Sequence, residues 1–524
     1  MPQTPTAGSR HDWHDTIVAL LLFVGTVAYL AALPHNLDPS DEAVHLYDAK
    51  RVLNGGVLYR DVFNFITPGW FYLMAVLFRL FGTTIGTARV AVAIIHGLTA
   101  AVIYLTCRRF GVRRGIAWTP SFAYLVVCQS AWPIASQHWL DALLSVTLLY
   151  VCAARAREHP TWPLGPGIVL GLLMAVQQQR GIFMSVGLAG WLIARAAFQR
   201  RYPSCRPGAP LTKQLAWLCV GIAVVMVPLG IAMVGGAGFQ SVWRALVVFP
   251  LVNYRLTRSA AWGEVNALTN FQSTFTFPRL LACLPAILVV DLARGVALWV
   301  RRRDPDGLTT VTLLVALGGA SIVSILYFAD FIHIAFIAPV LLVATAESIE
   351  WAVRLLPAPR FLRVAGVAAG AALLFGGGAH LRDNYERLWK LYHLSASTAF
   401  GRIDFADPRE IQLYEKLGEL LRRTPSRYLF CYPIMAHLYL MLDVENPSPY
   451  GYVVATLLGP DGVREVLDQV EAKQPPYVVA LPSRFLLPDD PILAFIQQTY
   501  EPIRDDSEVA KLIYRRREAG DERR

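Results

Sequence analysis

Charge is scarce in this chain. Asp, Glu, Lys and Arg make up only 16% of its 524 residues, and 55% are hydrophobic. Soluble globular chains carry roughly 25% charged residues and about 45–50% apolar ones. The shortage excludes a disordered protein and an ordinary soluble enzyme. Cysteine is sparse and unpatterned. The seven are Cys107, Cys128, Cys152, Cys205, Cys219, Cys283 and Cys431, with no CxxC pair and no Cys/His cluster. That argues against a structural zinc site and against a disulfide framework. There is no internal repeat and no low-complexity stretch. No basic segment precedes a cleavage site at the N-terminus, so Ile17–Leu33 reads as a retained first span. Acidic excess is also missing: 48 Lys plus Arg against 38 Asp plus Glu give +10. The basic residues sit mostly in short loops between apolar runs, which is a signature of topology, so no nucleic-acid partner is expected.

What the chain does have is long apolar runs, with a mean hydropathy of +0.42. Spans are expected near 17–33, 86–106, 117–133, 139–154, 165–177, 181–197, 214–234, 280–298, 308–328, 332–350 and 362–379. The fold class is therefore mainly α, a polytopic helical membrane protein of about eleven spans. Pro68–Gly82 is apolar but short, contains Arg79 and opens on Pro-Gly, so it is expected to lie flat at the interface. With that segment flat, five alternate loops hold Arg108/Arg109/Arg113/Arg114, Arg155/Arg157, Arg195/Arg200/Arg201/Arg206/Lys213, Arg301/Arg302/Arg303 and Arg354/Arg360/Arg363. The positive-inside rule puts these loops and the N-terminus in the cytoplasm of a cytoplasmic (inner) membrane. Residues 1–379 then form a membrane domain. Residues 380–524, charged and Pro-rich, form a small extracytoplasmic α/β domain. Its expected strands are Tyr428–Pro433 and Tyr477–Leu481, and its expected helices Asp407–Arg423 and Asp461–Ala472.

The first outer loop reads LDPSDEAVHLYDAKRVLNGGVLYRDVFNF. Ser40 is placed to cap a helix, with Asp41 and Glu42 in its first turn. Acids there offset the helix dipole, which alone would explain them. Asp41, His45 and Asp48 also recur at i, i+4 and i+7 as one polar stripe, expected to point along the outer surface of a helix lying on the membrane. In the second outer loop His138 and Asp141 share a helix face and could pair. Gln177-Gln178-Gln179-Arg180 joins two apolar segments, where polar side chains are costly without partners or a wet cavity. Loop 235–279 carries Trp243-Arg244 and then Val252-Asn253-Tyr254-Arg255, with Arg258 beyond. Arg can bind phosphate oxygens bidentately. Asp330 and His333 flank a span start and read as a structural ion pair.

No single motif decides a function, but parity brings all these polar groups to one face. A channel or transporter would hold them near mid-membrane. Gathering at one interface suits chemistry on a lipid headgroup. A flippase of lipid-linked sugars and a non-catalytic cell-envelope assembly protein remain the alternatives.

Asp41-Glu42, then Gly55-Gly56-Val57-Leu58-Tyr59-Arg60-Asp61, then Pro68 opening a flat apolar helix, then Phe81-Gly82 and Ala88-Arg89, resemble the GT-C membrane glycosyltransferases. The protein O-mannosyltransferase and aminoarabinose transferase branch is the nearest in pattern. His138-Trp139-Leu140-Asp141 is similar to that superfamily's second acidic loop, and Asn446-Pro447-Ser448-Pro449-Tyr450 to outer domains of bacterial members. The resemblance implies a polyprenyl-phosphate-linked sugar donor and inverting transfer to an acceptor (glycan, lipid or protein) outside the cytoplasmic membrane. It makes Asp41 the base. Glu42 would position Asp41 or a cation, and Asp141 would orient the acceptor or share the proton work. Lys50, Asp61, His138, Gln179, Arg180, Arg244, Tyr254, Arg255 and His333 are the further donor- and phosphate-binding candidates. The aminoarabinose transferases carry a Lys just before the Pro of the flat helix. Here Ile66-Thr67 stand there, so either another cation, such as Lys50, Arg180 or Arg255, meets the phosphate, or the donor sits differently. Metal dependence varies across the superfamily, which leaves a divalent cation open and no cofactor certain.

Overall fold

All eleven apolar runs are helical where the structure, a computed structural model, describes them. It describes residues 12–129, 134–153, 161–201, 209–254, 260–263, 278–301, 304–355, 360–482, 486–505 and 507–517. Among them eight helices are long and apolar enough to cross a membrane: Trp13–Ala31, Ile85–Arg109, Gln178–Gln199, Leu211–Ala237, Leu281–Arg301, Pro305–Ile325, Phe331–Leu355 and Val364–Leu391. The other three runs are shorter helices of the same bundle. They are Arg114–Tyr124, which continues as a π-turn to Gln129, Gln137–Ala153, and Leu164–Val176. In chain order α1 is Trp13–Ala31, α2 Asp41–Leu53, α3 Gly69–Phe81, α4 Ile85–Arg109, α5 Arg114–Tyr124, α6 Gln137–Ala153, α7 Leu164–Val176, α8 Gln178–Arg201 and α9 Leu211–Ala237.

The expected flat segment is α3, a 13-residue helix distinct from the spans. Trp70, Phe71, Met74 and Phe78 are buried, while Tyr72, Val76, Leu80 and Phe81 are exposed. One apolar face packs on the protein and the other suits lipid, as an interfacial helix requires.

Ion pairs mark one end of the bundle. Arg108 and Arg114 reach Asp15 at the start of α1 at 3.1 and 2.7 Å, and Arg113 and Arg354 share Glu350 at 2.8 Å each. The opposite end carries α2, α3 and the strands. The helix Arg360–Leu391 runs through residue 379, so the division expected there falls inside a helix and the first strand begins at 394. β1 (Leu394–Thr398) and β2 (Gly401–Phe405) form an antiparallel hairpin that joins the bundle through Ile85 N–H to Phe400 O at 2.9 Å. β3 (Phe430–Tyr432), β4 (Tyr477–Ala480), β5 (Tyr500–Pro502) and β6 (Ile513–Arg516) make a sheet of order β3-β4-β6-β5, with β3 parallel to β4 and the other pairs antiparallel. β3 and β4 are the two expected strands. The expected helices form as Pro408–Arg423 and Ala455–Lys473.

Small residues let α7 and α9 touch along their backbones. A Cβ on Gly221 would lie 2.4 Å from the Leu164 carbonyl oxygen and 2.8 Å from the Gly167 Cα. Gly230, on the same helix, has nothing within 4 Å of its Cβ direction. Close approach of this kind holds membrane helices together by packing. Gly221→Val should therefore lower the thermal unfolding midpoint in detergent markedly, and Gly230→Val should leave it near the wild-type value. Equal midpoints for the two variants would contradict the packing.

Candidate active site

The site is built on α2. Ser40 does not cap it: the Ser40 backbone is not in the extended capping conformation, and its hydroxyl donates instead to Asp38 Oδ1 at 2.7 Å. Glu42 takes over that end of the helix, accepting the Asp38 N–H at 3.1 Å. It also accepts the Ala135 N–H at 2.6 Å and the Arg89 guanidinium, whose Nη2 lies 2.9 Å from Oε2 and whose Nη1 meets Oε1. The Arg89 Nη2 further donates to the Asn36 carbonyl. Glu42 is fully buried and Arg89 nearly so. One carboxylate thus ties α2 to α4 and to the loop before α6.

The polar stripe is inside, not along an outer surface. His45 and Asp48 are buried, and Asp48 Oδ2 accepts from Asn64 Nδ2 at 2.9 Å. Burial pushes Asp48 up to about 7 and His45 down to about 4. The reason is the C-terminal segment, which covers α2. Asn446 N–H donates to Tyr47 Oη at 2.7 Å, Arg51 Nη1 donates to the Pro449 carbonyl at 3.1 Å, and Lys50 Nζ pairs with Asp443 at 2.5 Å. Asp41 alone of the stripe is exposed. Its Oδ1 accepts the Tyr452 hydroxyl at 2.6 Å. Burial and the Asp41 charge push the Asp38 carboxyl up to about 6.

A second group of residues comes from four other elements. Asp141 on α6 and Arg180 on α8 form a buried pair, Nε to Oδ2 2.7 Å, at 0% and 1% exposure. Arg180 Nη1 also donates to the Phe336 carbonyl at 3.1 Å. The expected His138–Asp141 pairing does not form, because Arg180 takes the carboxylate. His138 stacks on Phe336 with centroids 4.3 Å apart, and its Nδ1 meets Gln177 Oε1 at 3.2 Å. His333 pairs with Asp330 at 2.7 Å, as the sequence spacing indicates, and its ring lies 5.5 Å from that of His138. A row of rings runs from this group to Phe65. His333 faces Tyr327 at 6.2 Å, Tyr327 faces Tyr254 at 6.2 Å, and Tyr254 packs on Phe65 at 5.0 Å. Tyr254 is also near enough to Tyr452 to influence its ionisation.

Other expected residues go elsewhere. Gln179 Nε2 donates to the Ser324 carbonyl at 2.6 Å. Lys50 and Arg244 both turn to the C-terminal segment, Arg244 standing 3.9 Å from Glu465. Asp61 accepts the Val57 N–H at 2.9 Å and pairs with Arg60 at 2.9 Å, closing its own turn. Arg255 and Arg258 lie outside the described residues. Among the described residues no group of three His, Cys, Asp or Glu is placed to hold a metal ion. Sequence reasoning missed Tyr452, Tyr327 and the role of Arg89. The last had a signal, since an Arg in the second turn of an apolar helix calls for a partner.

No family model matches the chain, and no curated protein matches it in sequence. Solved structures do match. ArnT from Cupriavidus metallidurans bound to undecaprenyl phosphate superposes with a TM-score of 0.53 at 14% identity, covering 96% of this chain and 97% of ArnT. The apo state of the same protein gives 0.53 at 14% over 96% and 98%. The archaeal oligosaccharyltransferase AglB from Archaeoglobus fulgidus, in complex with an inhibitory peptide and a dolichol-phosphate, gives 0.55 at 12% over 90% and 70%. This is the GT-C fold. With eight helices long and apolar enough to cross a membrane, the chain is a multi-pass membrane protein, and at these identities the likeness is one of fold.

Removing one partner of a buried pair leaves the other charge uncompensated, at about 3–5 kcal/mol. Arg89→Leu should cost that much in detergent unfolding, well above an exposed control such as Arg382→Leu. A loss below about 1 kcal/mol, the range of surface pairs, would show that Glu42 is not held as described.

Proposed function

We propose that this protein is an inverting glycosyltransferase that moves a sugar from a polyprenyl-phosphate carrier to an acceptor hydroxyl at the outer face of the cytoplasmic membrane. The observation that carries this reading is the pair of neighbouring acids with opposite fates. Glu42 is buried and clamped by Arg89, while Asp41 beside it is exposed. A rigid anchor next to an accessible carboxylate is what a positioned general base needs. The arginine-bearing loops at the opposite end of the bundle support a cytoplasmic placement of that end. They thereby support an extracytoplasmic site, with residues 380–524 as an outer domain. ArnT and AglB were solved with undecaprenyl phosphate and a dolichol-phosphate, which supports a lipid-phosphate donor for a chain of their fold.

In this reading Asp41 takes the proton of the acceptor hydroxyl as its oxygen attacks the anomeric carbon. The bond from that carbon to the phosphate oxygen breaks, and the electron pair leaves on the polyprenyl phosphate. A phosphate ester already leaves readily, so one carboxylate suffices. Attack on the face opposite the phosphate gives inversion. Arg180 supplies positive charge behind His138 and His333, where the departing phosphate needs it. Asp141 keeps Arg180 in place, and Tyr254 lines the approach between this wall and Asp41.

The test is release of sugar from a panel of radiolabelled polyprenyl-phosphate sugars in proteoliposomes. One sugar should leave its carrier, and Asp41→Asn should lose about 10²- to 10⁴-fold in turnover while still binding that donor. Turnover unchanged in the variant, or transbilayer movement of intact donor without sugar release, would overturn the assignment in favour of lipid-sugar transport.

A further inference from the structure

Loop Asn446–Val454 of the C-terminal segment is fixed against α2 before it reaches Asp41. Asn446 Nδ2 donates to the Tyr450 carbonyl at 2.8 Å, and Lys473 Nζ donates to the Pro447 carbonyl at 2.6 Å. Phe63 N–H donates to the Pro449 carbonyl at 3.0 Å. The Tyr450 hydroxyl donates to Glu465 at 2.6 Å. Gly451 lies so close to α2 that a Cβ there would come within 2.6 Å of Val44 Cγ1. Val453 N–H then donates to the Pro433 carbonyl at 3.2 Å. Between these anchors stands Tyr452. Its ring faces His45 at 6.4 Å and its hydroxyl ends 2.6 Å from Asp41 Oδ1.

Resting on the transferase reading above, we infer that Tyr452 is a positioning residue of the reaction. Its hydroxyl fixes one oxygen of the Asp41 carboxylate, which leaves the other to receive the acceptor proton. Residues 380–524 then complete the site as well as cover it.

Three features carry this. The hydroxyl-to-carboxylate bond is short and charge-assisted, the strong kind. Among the described residues Tyr452 is the one whose side chain donates to the Asp41 oxygens, while Asp38, Glu42 and His45 stand near it from its own segment. Burial and then the Asp41 charge hold the Tyr452 phenol well above its ordinary range. It therefore keeps its proton and stays a donor, while Asp41 does the proton transfer. A carboxylate held at one oxygen is oriented for the other, and a misplacement of about 1 Å at such a point can cost 10²-fold.

Tyr452→Phe in the full-length protein keeps the ring and removes only the hydroxyl. In proteoliposomes its kcat should fall about 10- to 100-fold with donor affinity near wild type. In an Asp41→Asn background the same change should have no further effect on kcat. A thermal-stability cycle of Tyr452→Phe and Asp41→Asn reads the contact without activity and should be non-additive. Wild-type kcat in Tyr452→Phe, or additive midpoints, would overturn the inference while leaving the transferase reading standing. A loss confined to donor affinity would make Tyr452 a binding residue and overturn it as well. Failure of the wild-type protein to consume any donor would overturn the transferase reading and this inference with it.

Discussion

The buried pair Glu42–Arg89 is the constraint on which the rest of the site depends. A charged carboxylate with no exposure is costly in any protein interior and tolerable only with charge and hydrogen bonds around it. Glu42 has both, from Arg89, Ala135 and Asp38. These partners come from α4, from the loop before α6 and from the segment just before α2. A pair of this kind is a weak source of net stability, but it fixes register strongly. It sets where α2 begins, and so where Asp41 stands relative to the wall of His138, His333 and Arg180.

That wall follows the same logic in the membrane end of the bundle. Asp141 and Arg180 form an ion pair inside the protein, and His138 stacks on Phe336 and faces His333. Charge is rare in this chain, and at the site two pairs, Glu42–Arg89 and Asp141–Arg180, hold elements together. Asp38 and Asp48 have the neutral partners Ser40 and Asn64, and Asp41 is the exposed acid. The C-terminal segment adds a cover for α2 and a tyrosine hydroxyl for that acid. Lys50 and Arg244, which the sequence offers as phosphate partners, hold that cover in place.

Much of the fold was legible because apolar length and loop charge are local properties. The helical runs, the separateness of α3 and the strands β3 and β4 were all readable in this way. The convergence of Asp41, His138, Tyr254, Arg180 and His333 at one end was readable from span parity. The hairpin β1–β2 was not: Leu394–Thr398 and Gly401–Phe405 alternate, but over only five residues each, and the first is mostly small residues, which leaves a weak signal. Nor was the burial of His45 and Asp48, because the element that covers them lies some 400 residues on in sequence, as the Tyr47–Asn446 bond shows (399 apart). The difference between Asp41 and Glu42 was equally hidden. Two adjacent acids at a helix start look alike until Arg89 selects one. The exchange of the expected His138–Asp141 pair for Asp141–Arg180 has the same origin, a partner from a distant helix outcompeting a neighbour on the same face.

The most direct test of the account is a structure of the protein in lipid nanodiscs with a polyprenyl phosphate bound. The account predicts the phosphate at the α2 end of the bundle, between Asp41 and the His138–His333 wall, with Glu42 still clamped by Arg89. A phosphate bound at the opposite end, beside Arg108, Arg114 and Arg354, would contradict it.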